Sequence, residues 1–241
     1  MGLTAKGLIV REHNIGETDR FVTVLTDTLG IIRASVRGAR RVNSRAGAST
    51  RLLSYARLSL VKGRDKYIVD TAVPERVFFI GSGSVEQLAL AQYFCELFAA
   101  VAPREEGAGE FLRLLLNALH LLEKDGDDRD RIKAVTELRL LSLAGYMPDL
   151  HACRCGKGEA PLWFQPLSGV LCCAACRTDG CIALSPTVYE AMRHVLHADM
   201  SRAFAFRLPK DACLQLADVV ERFTLCQLSR SFSTLEFYHA L

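Results

Sequence analysis

The sequence predicts an α+β chain in which a small closed β-barrel of about five strands precedes a helical domain carrying a cysteine-rich insertion. Three observations predict it. Residues 1–80 hold short β-branched or apolar runs separated by turn residues. Apolar positions recur at helical spacing after Gly83. Six of the nine cysteines fall between Cys153 and Cys181. Strands followed by helices argue against alternating βαβ units. The division expected is a barrel domain, 1–80, and a helical domain, 81–241, with the cysteine-rich segment at 149–183.

The strand runs are Gly7–Arg11, Phe21–Thr26, Ile31–Val36, Arg57–Lys62 and Lys66–Val73. Asn14-Ile15-Gly16, Thr28-Leu29-Gly30 and Gly63-Arg64-Asp65 read as turns, the last as a hairpin loop. Gly38–Ser54 is rich in Arg, Ser, Gly and Ala and lacks apolar periodicity, so it reads as a mobile loop. Ser84 and Gln87 then form a capping-box pattern, with Leu88, Ala91, Phe94, Phe98 and Val101 behind it. A second helix places Phe111, Leu114, Leu115, Ala118, Leu121 and Leu122 on one face. A third carries Ile132, Val135, Leu138 and Leu141 and stops near Gly145. Ser185-Pro186 reads as an N-cap with proline in the first turn, and Asp211 to about Arg230 as the last long helix.

Half of the 241 residues are apolar, enough for a core and too many for disorder. The first thirty residues lack a secretory apolar stretch, and no apolar run approaches bilayer length. The longest, Phe111–Leu122, is interrupted by Arg113, Asn117 and His120. Nine cysteines without a secretion signal suggest a reducing compartment, where metal binding or burial is favoured over disulfides.

Charge is unevenly divided. Residues 1–80 hold fourteen Lys/Arg against seven Asp/Glu, whereas the remainder is mildly acidic. Between Arg33 and Lys66 ten basic residues face one acid, Asp65. Arg37, Arg40, Arg41, Arg45 and Arg51, with Lys62, Arg64 and Lys66, are therefore expected to line one nucleic-acid-binding face. Guanidinium groups pair with phosphate oxygens and stack on bases, and Phe21, Tyr55 and Tyr67 are candidate stacking rings. No pattern for reading particular bases is visible, so binding should be electrostatic and salt-sensitive.

Cys153, Cys155, Cys173 and Cys176 form two close pairs flanking Trp163, Phe164 and Ser168-Gly169. Two turn-borne pairs supply the four thiolates of a structural zinc site, with no open position for a substrate. Cys173-Ala174-Ala175-Cys176 has knuckle spacing. Cys172 also fits as third ligand, although spacing favours Cys173, and His151 lies close enough to substitute for a missing ligand. Cys95, Cys213 and Cys226 lie on apolar helix faces and read as core residues.

No enzyme motif is present. Walker-type phosphate loop, G-x-S-x-G and H-E-x-x-H are all missing, and the six histidines are scattered. Glu17 and Asp19 suggest acid–base work, and a turn-and-cap role for Glu17-Thr18-Asp19 before a strand fits at least as well.

The string Gly16-Glu17-Thr18-Asp19-Arg20, followed by Thr26, Gly30, Gly38-Ala39-Arg40-Arg41 and Ser44-Arg45, resembles the N-terminal signature of the RecO family of bacterial DNA repair and recombination proteins. Pro148-Asp149-Leu150 leading into the first cysteines, then Ser168-Gly169-Val170-Leu171-Cys172, extends the resemblance over nearly the whole chain. Two departures stand out. Family members with a zinc knuckle usually have two residues between the first cysteines, where this chain has one, and here the second pair is preceded by an extra Cys172.

The resemblance implies an oligonucleotide-binding (OB) barrel and a helical domain with a structural zinc ion. It also implies binding of single- and double-stranded DNA and annealing of complementary strands. The implied partners are RecR, often RecF, and the single-strand-binding protein SSB, from whose DNA RecA loading is assisted. A non-enzymatic, cytoplasmic and nucleoid-associated protein is expected. Two alternatives from other classes are an OB-fold RNA-binding factor and a zinc-dependent nucleic-acid-modifying enzyme.

Overall fold

The computed structural model describes residues 2–44, 46–64, 66–81, 83–124, 128–153, 155–156 and 162–241. Five strands open the chain: β1 (Gly2–Ile15), β2 (Asp19–Thr26), β3 (Gly30–Val36), β4 (Ser54–Lys62) and β5 (Tyr67–Val77). They pair in the order β1-β2-β3-β5-β4, and β1 returns to β4 to close the barrel.

One strand reaches two neighbours because it bends. Gly2–Leu8 of β1 pair with β4, and Gly7–Ile15 pair with β2. The register skips one residue between Ile9 and Arg11, so Val10 is buried and Arg11 is turned outward. The β3–β5 seam is short and parallel, joining Ala34 to Tyr67 and Ser35 to Ile68. Alternation sends Ile9, Val24, Ile32, Leu58, Leu60 and Val69 into the barrel core. Pro74 is tolerated in β5 because it sits beside a bulge where the ladder is already broken.

Gly38–Ser54, expected to be a mobile loop, is instead docked on the barrel in its described residues. It contains a short 3₁₀ turn, Ala48–Thr50, whose Thr50 hydroxyl donates to Ala46 O at 2.7 Å. Leu53 N–H donates to Ile9 O at 3.0 Å, and Ser49, Thr50 and Ser54 are buried. Polar side chains and backbone groups supply the contacts that apolar periodicity would otherwise signal.

Packing divides the chain into two compact units, Met1–Gly126 with Phe232–Leu241, and Asp127–Ser231. Residue 80 thus marks where strands give way to helices, whereas packing divides further along the chain. In the first unit, α1 (Val85–Val101) begins with the expected capping box. Ser84 Oγ accepts the Gln87 N–H at 3.3 Å and Gln87 Oε1 accepts the Ser84 N–H at 2.7 Å. Tyr93, Phe94, Leu97 and Phe98 of α1 are fully buried. On α2 (Gly109–Lys124) the buried stripe includes Leu112 and Leu119, while Phe111 and Leu121 are half-exposed. A short α6 (Ser233–His239) was not evident from the sequence. Glu96 of α1 accepts the Thr234 hydroxyl at 2.6 Å, and Phe232 meets Tyr93 edge-on at 5.7 Å.

The second unit contains α3 (Arg129–Leu143), α4 (Pro186–His197) and α5 (Lys210–Leu228). It also holds a three-stranded sheet ordered β7-β6-β8, from β6 (Leu162–Gln165), β7 (Val170–Cys172) and β8 (Ile182–Leu184). Ser185 caps α4 by accepting the Val188 N–H at 3.3 Å. The sheet is anchored by Phe164, packed edge-on to Phe223 of α5 with centroids 5.4 Å apart. Lys133, buried on α3, bridges Glu137 at 2.8 Å and Glu221 at 2.7 Å. Among the described residues, no helix is long and apolar enough to cross a membrane.

Candidate nucleic-acid interface and metal site

The β1–β2 turn is the anchor of the basic loop. Asp19 Oδ1 accepts the Gly38 N–H at 2.9 Å and the Thr18 hydroxyl at 3.0 Å. Those hydrogen bonds, with the nearby Arg37 and Arg41 guanidinium groups, hold the Asp19 carboxyl below its ordinary pKa. Arg40 bonds the same turn twice, through its N–H to Thr18 O at 3.0 Å and Nη1 to Gly16 O at 2.9 Å. Arg20 is buried beneath, donating to Gly47 O at 3.0 Å and pairing with Glu12 at 3.4 Å. The Glu-Thr-Asp-Arg string therefore builds and clamps a turn. Arg37 and Arg41 project from it, and Val42 at the tip is wholly exposed.

A second basic group surrounds a cleft of about 470 Å³. Lys62 at the end of β4, with Arg64 and Lys66 of the β4–β5 loop, lines it, joined by Arg11, Arg33 and Arg104. Arg11 and Arg104 lie outside the basic run of the sequence, and Arg33 opens it. Strand register explains Arg11 and Arg33: Arg11 lies opposite Thr23, which lies opposite Arg33, forming one row across β1, β2 and β3. The next row is His13, Phe21 and Ser35, and Lys66 Nζ sits 3.9 Å from the Phe21 ring centroid. Tyr67 also lines the cleft, whereas Tyr55 does not.

Arg51 is exposed at the end of the 3₁₀ turn and lies outside the cleft lining. Arg45 falls outside the described residues. Among the described residues, none of Arg37, Arg40, Arg41, Arg51, Lys62, Arg64 or Lys66 forms an ion pair with a carboxylate. Arg57, by contrast, is paired with Glu75 at 3.2 Å on the β4–β5 ladder.

The thiols converge in the second unit. The sulfurs of Cys153, Cys155, Cys173 and Cys176 all lie within 4.8 Å of one another. Cys155 Sγ is 3.4 Å from Cys153 Sγ and 3.7 Å from Cys173 Sγ. Four sulfurs at about 2.3 Å from a tetrahedral zinc ion stand about 3.8 Å apart, so the arrangement fits that ion. Each pair is turned by its own backbone: Gly156 N–H donates to Cys153 O, and Cys176 N–H to Cys173 O, both at 3.0 Å. Backbone hydrogen bonds at Cys155 and Cys173 pull the Cys153 thiol down to about 6, favouring a thiolate. Cys172 ends β7 opposite Trp163 and stays out of the cluster, as does His151.

Residues 1–78 match the family described as "Recombination protein O N terminal", and residues 83–236 match "Recombination protein O C terminal". The chain belongs to the RecO family. Similar RecO proteins include one from Acetivibrio thermocellus, 31% identical over 99% of this chain and 97% of the relative. Another, from Symbiobacterium thermophilum, is 30% identical over 98% and 96% respectively. A third, from Alkaliphilus metalliredigens, is 28% identical over 98% of both. All three bear the name DNA repair protein RecO. RecO membership assigns the chain a role in DNA repair and recombination.

Proposed function

We propose that this RecO-family chain is a non-enzymatic mediator of recombinational repair that binds single- and double-stranded DNA and anneals complementary strands. The observation supporting this is that Arg37, Arg40, Arg41, Arg51, Lys62, Arg64 and Lys66 are exposed on the barrel and none is ion-paired to a carboxylate among the described residues. Annealing requires two phosphate backbones to approach despite repulsion, and a surface that neutralises both lowers that barrier without a chemical step. Arg37, Arg40, Arg41, Arg45 and Arg51, with Lys62, Arg64 and Lys66, are the proposed DNA ligands.

Within the same reading, the chain works with RecR, and with RecF, to help RecA replace SSB on gapped DNA. Cys153, Cys155, Cys173 and Cys176 would hold a structural zinc ion, which fixes the knuckle and takes no part in DNA chemistry.

The test is replacement of Arg37, Arg40 and Arg41 by Ala, measuring single-strand affinity and annealing rate at low salt. Both should fall while the thermal unfolding midpoint stays put. Unchanged affinity and annealing would contradict the loop assignment. Competition between matched DNA and RNA strands separates the repair reading from an RNA-binding factor; clear preference for RNA would overturn it.

A further inference from the structure

The α1–α2 connection, in a region with no recognised motif, is fastened along the edge of β3. Ile31 N–H donates to Pro103 O at 2.8 Å, and Glu105 N–H donates to Leu29 O at 3.1 Å. Gly30 and Arg104 form a β-bridge between these bonds. The approach is so close that a Cβ on Gly30 would stand 2.2 Å from Pro103 O, and Gly30 has φ +63°. Glu105 itself adopts φ 62°, a left-handed conformation costly for a residue with a side chain. Arg104 is thereby set at a fixed place on the cleft wall.

We infer that this cleft seats a single strand of nucleic acid, and that Arg104 is one of its phosphate ligands. The inference rests on the DNA-binding reading and adds where one strand lies. Among the described residues, six cations line the cleft against one acid, Glu105. None of the six is ion-paired to a carboxylate among the described residues. Tyr67 and Ala99, both partly exposed, supply aromatic and apolar surface between them. Cations at the rim and an aromatic ring within are what a single strand uses, because unpaired bases stack while the backbone meets positive charge. A volume of about 470 Å³ is in the range of sites that hold a small ligand. That is room for one nucleotide unit of a strand, whose bases stack singly. The donors are placed before the strand arrives, which lowers the ordering cost of binding.

Full-length Arg104→Glu, Arg104→Lys and Arg33→Ala variants test this by fluorescence anisotropy, with oligo-dT, oligo-rU and a mixed-sequence duplex as probes. Arg33→Ala, which deletes one cleft cation, should remove about 0.7 from the single-strand salt slope. Arg104→Glu reverses the charge and should remove about 1.4, with at least a tenfold loss of oligo-dT affinity and less than a twofold change for duplex. Arg104→Lys should keep the slope. Equal losses on oligo-dT and oligo-rU support a site that reads phosphate, whereas a loss confined to oligo-rU overturns a DNA strand as occupant. Equal losses on duplex and oligo-dT overturn the single-strand assignment. Arg104→Glu with unchanged oligo-dT affinity, beside an impaired loop variant, sinks the cleft and leaves the DNA-binding reading standing. If both variants bind normally, that reading fails as well.

Discussion

Serine at Cys173 and Cys176 removes two of the four clustered thiols and, with them, any tetrahedral metal site. What depends on that site can be gauged from burial. The β6-β7-β8 sheet carries Phe164 and Leu171 into the core of the second unit, at 0% and 1% exposure, where Phe164 meets Phe223. Burying such a side chain contributes about 1.5–3 kcal/mol, so the two together represent about 3–6 kcal/mol. Domains are stable by only about 5–15 kcal/mol. Losing the knuckle should therefore destabilise the unit broadly and lower its melting midpoint by at least about 12 °C. Trp163, the single tryptophan, lies in β6 with Arg177 over its ring at 5.1 Å, so its fluorescence reports the knuckle directly. Protein purified without chelator should hold one equivalent of zinc. Chelation of the parent should reproduce the melting of the double variant, and Cys172→Ser should keep the metal. Less than about half an equivalent of zinc, or an unshifted midpoint in the double variant, would refute the metal assignment.

Arg20→Ala tests the clamp beneath the basic loop. It removes the shorter of two side-chain hydrogen bonds to Gly47 O and the ion-pair partner of Glu12, and should cost about 1–3 kcal/mol in urea unfolding. Single-strand affinity should fall too, although Arg20 is buried away from any ligand. Asp19 adds a pH dependence. Its folded pKa lies below the ordinary 3.8, so its contribution is fully present above that value and disappears as pH falls through the lowered one. The stability difference between the parent and Asp19→Asn should accordingly be constant from neutral pH down to about 4 and shrink below it, as read by urea unfolding across pH.

Much of the fold was legible because local and long-range signals agree. The Ser84–Gln87 box, the Ser185-Pro186 start and the Gly63 hairpin loop each carry a local mechanism, and tertiary packing preserved all three. The first half of β1 was hidden because Gly2–Lys6 has no β-branched run, and its pairing with β4 is what makes it a strand. Helix α6 spans seven residues and is held by Glu96, a partner distant in sequence. Gly38–Ser54 looked mobile because Asp19 and Arg20, which hold it, lie on another strand. In the cysteine cluster, spacing pointed to Cys173, and the turn at Cys173–Cys176 shows why: its backbone bond draws both sulfurs to one side while Cys172 stays in the strand. Two of the six cleft cations carry no sequence signal, because Arg11 reaches its place only through the bulge after Ile9, and Arg104 only through the bridge to Gly30.

The salt dependence of oligo-dT binding by the full-length parent bears most directly on the basic barrel surface. Six cleft cations alone give a slope of log affinity against log salt of about −4, and Arg37, Arg40, Arg41, Arg45 and Arg51 extend it to about −8. A slope in that interval is the expected result. Affinity that barely changes between low and physiological salt would contradict an interface built from these side chains.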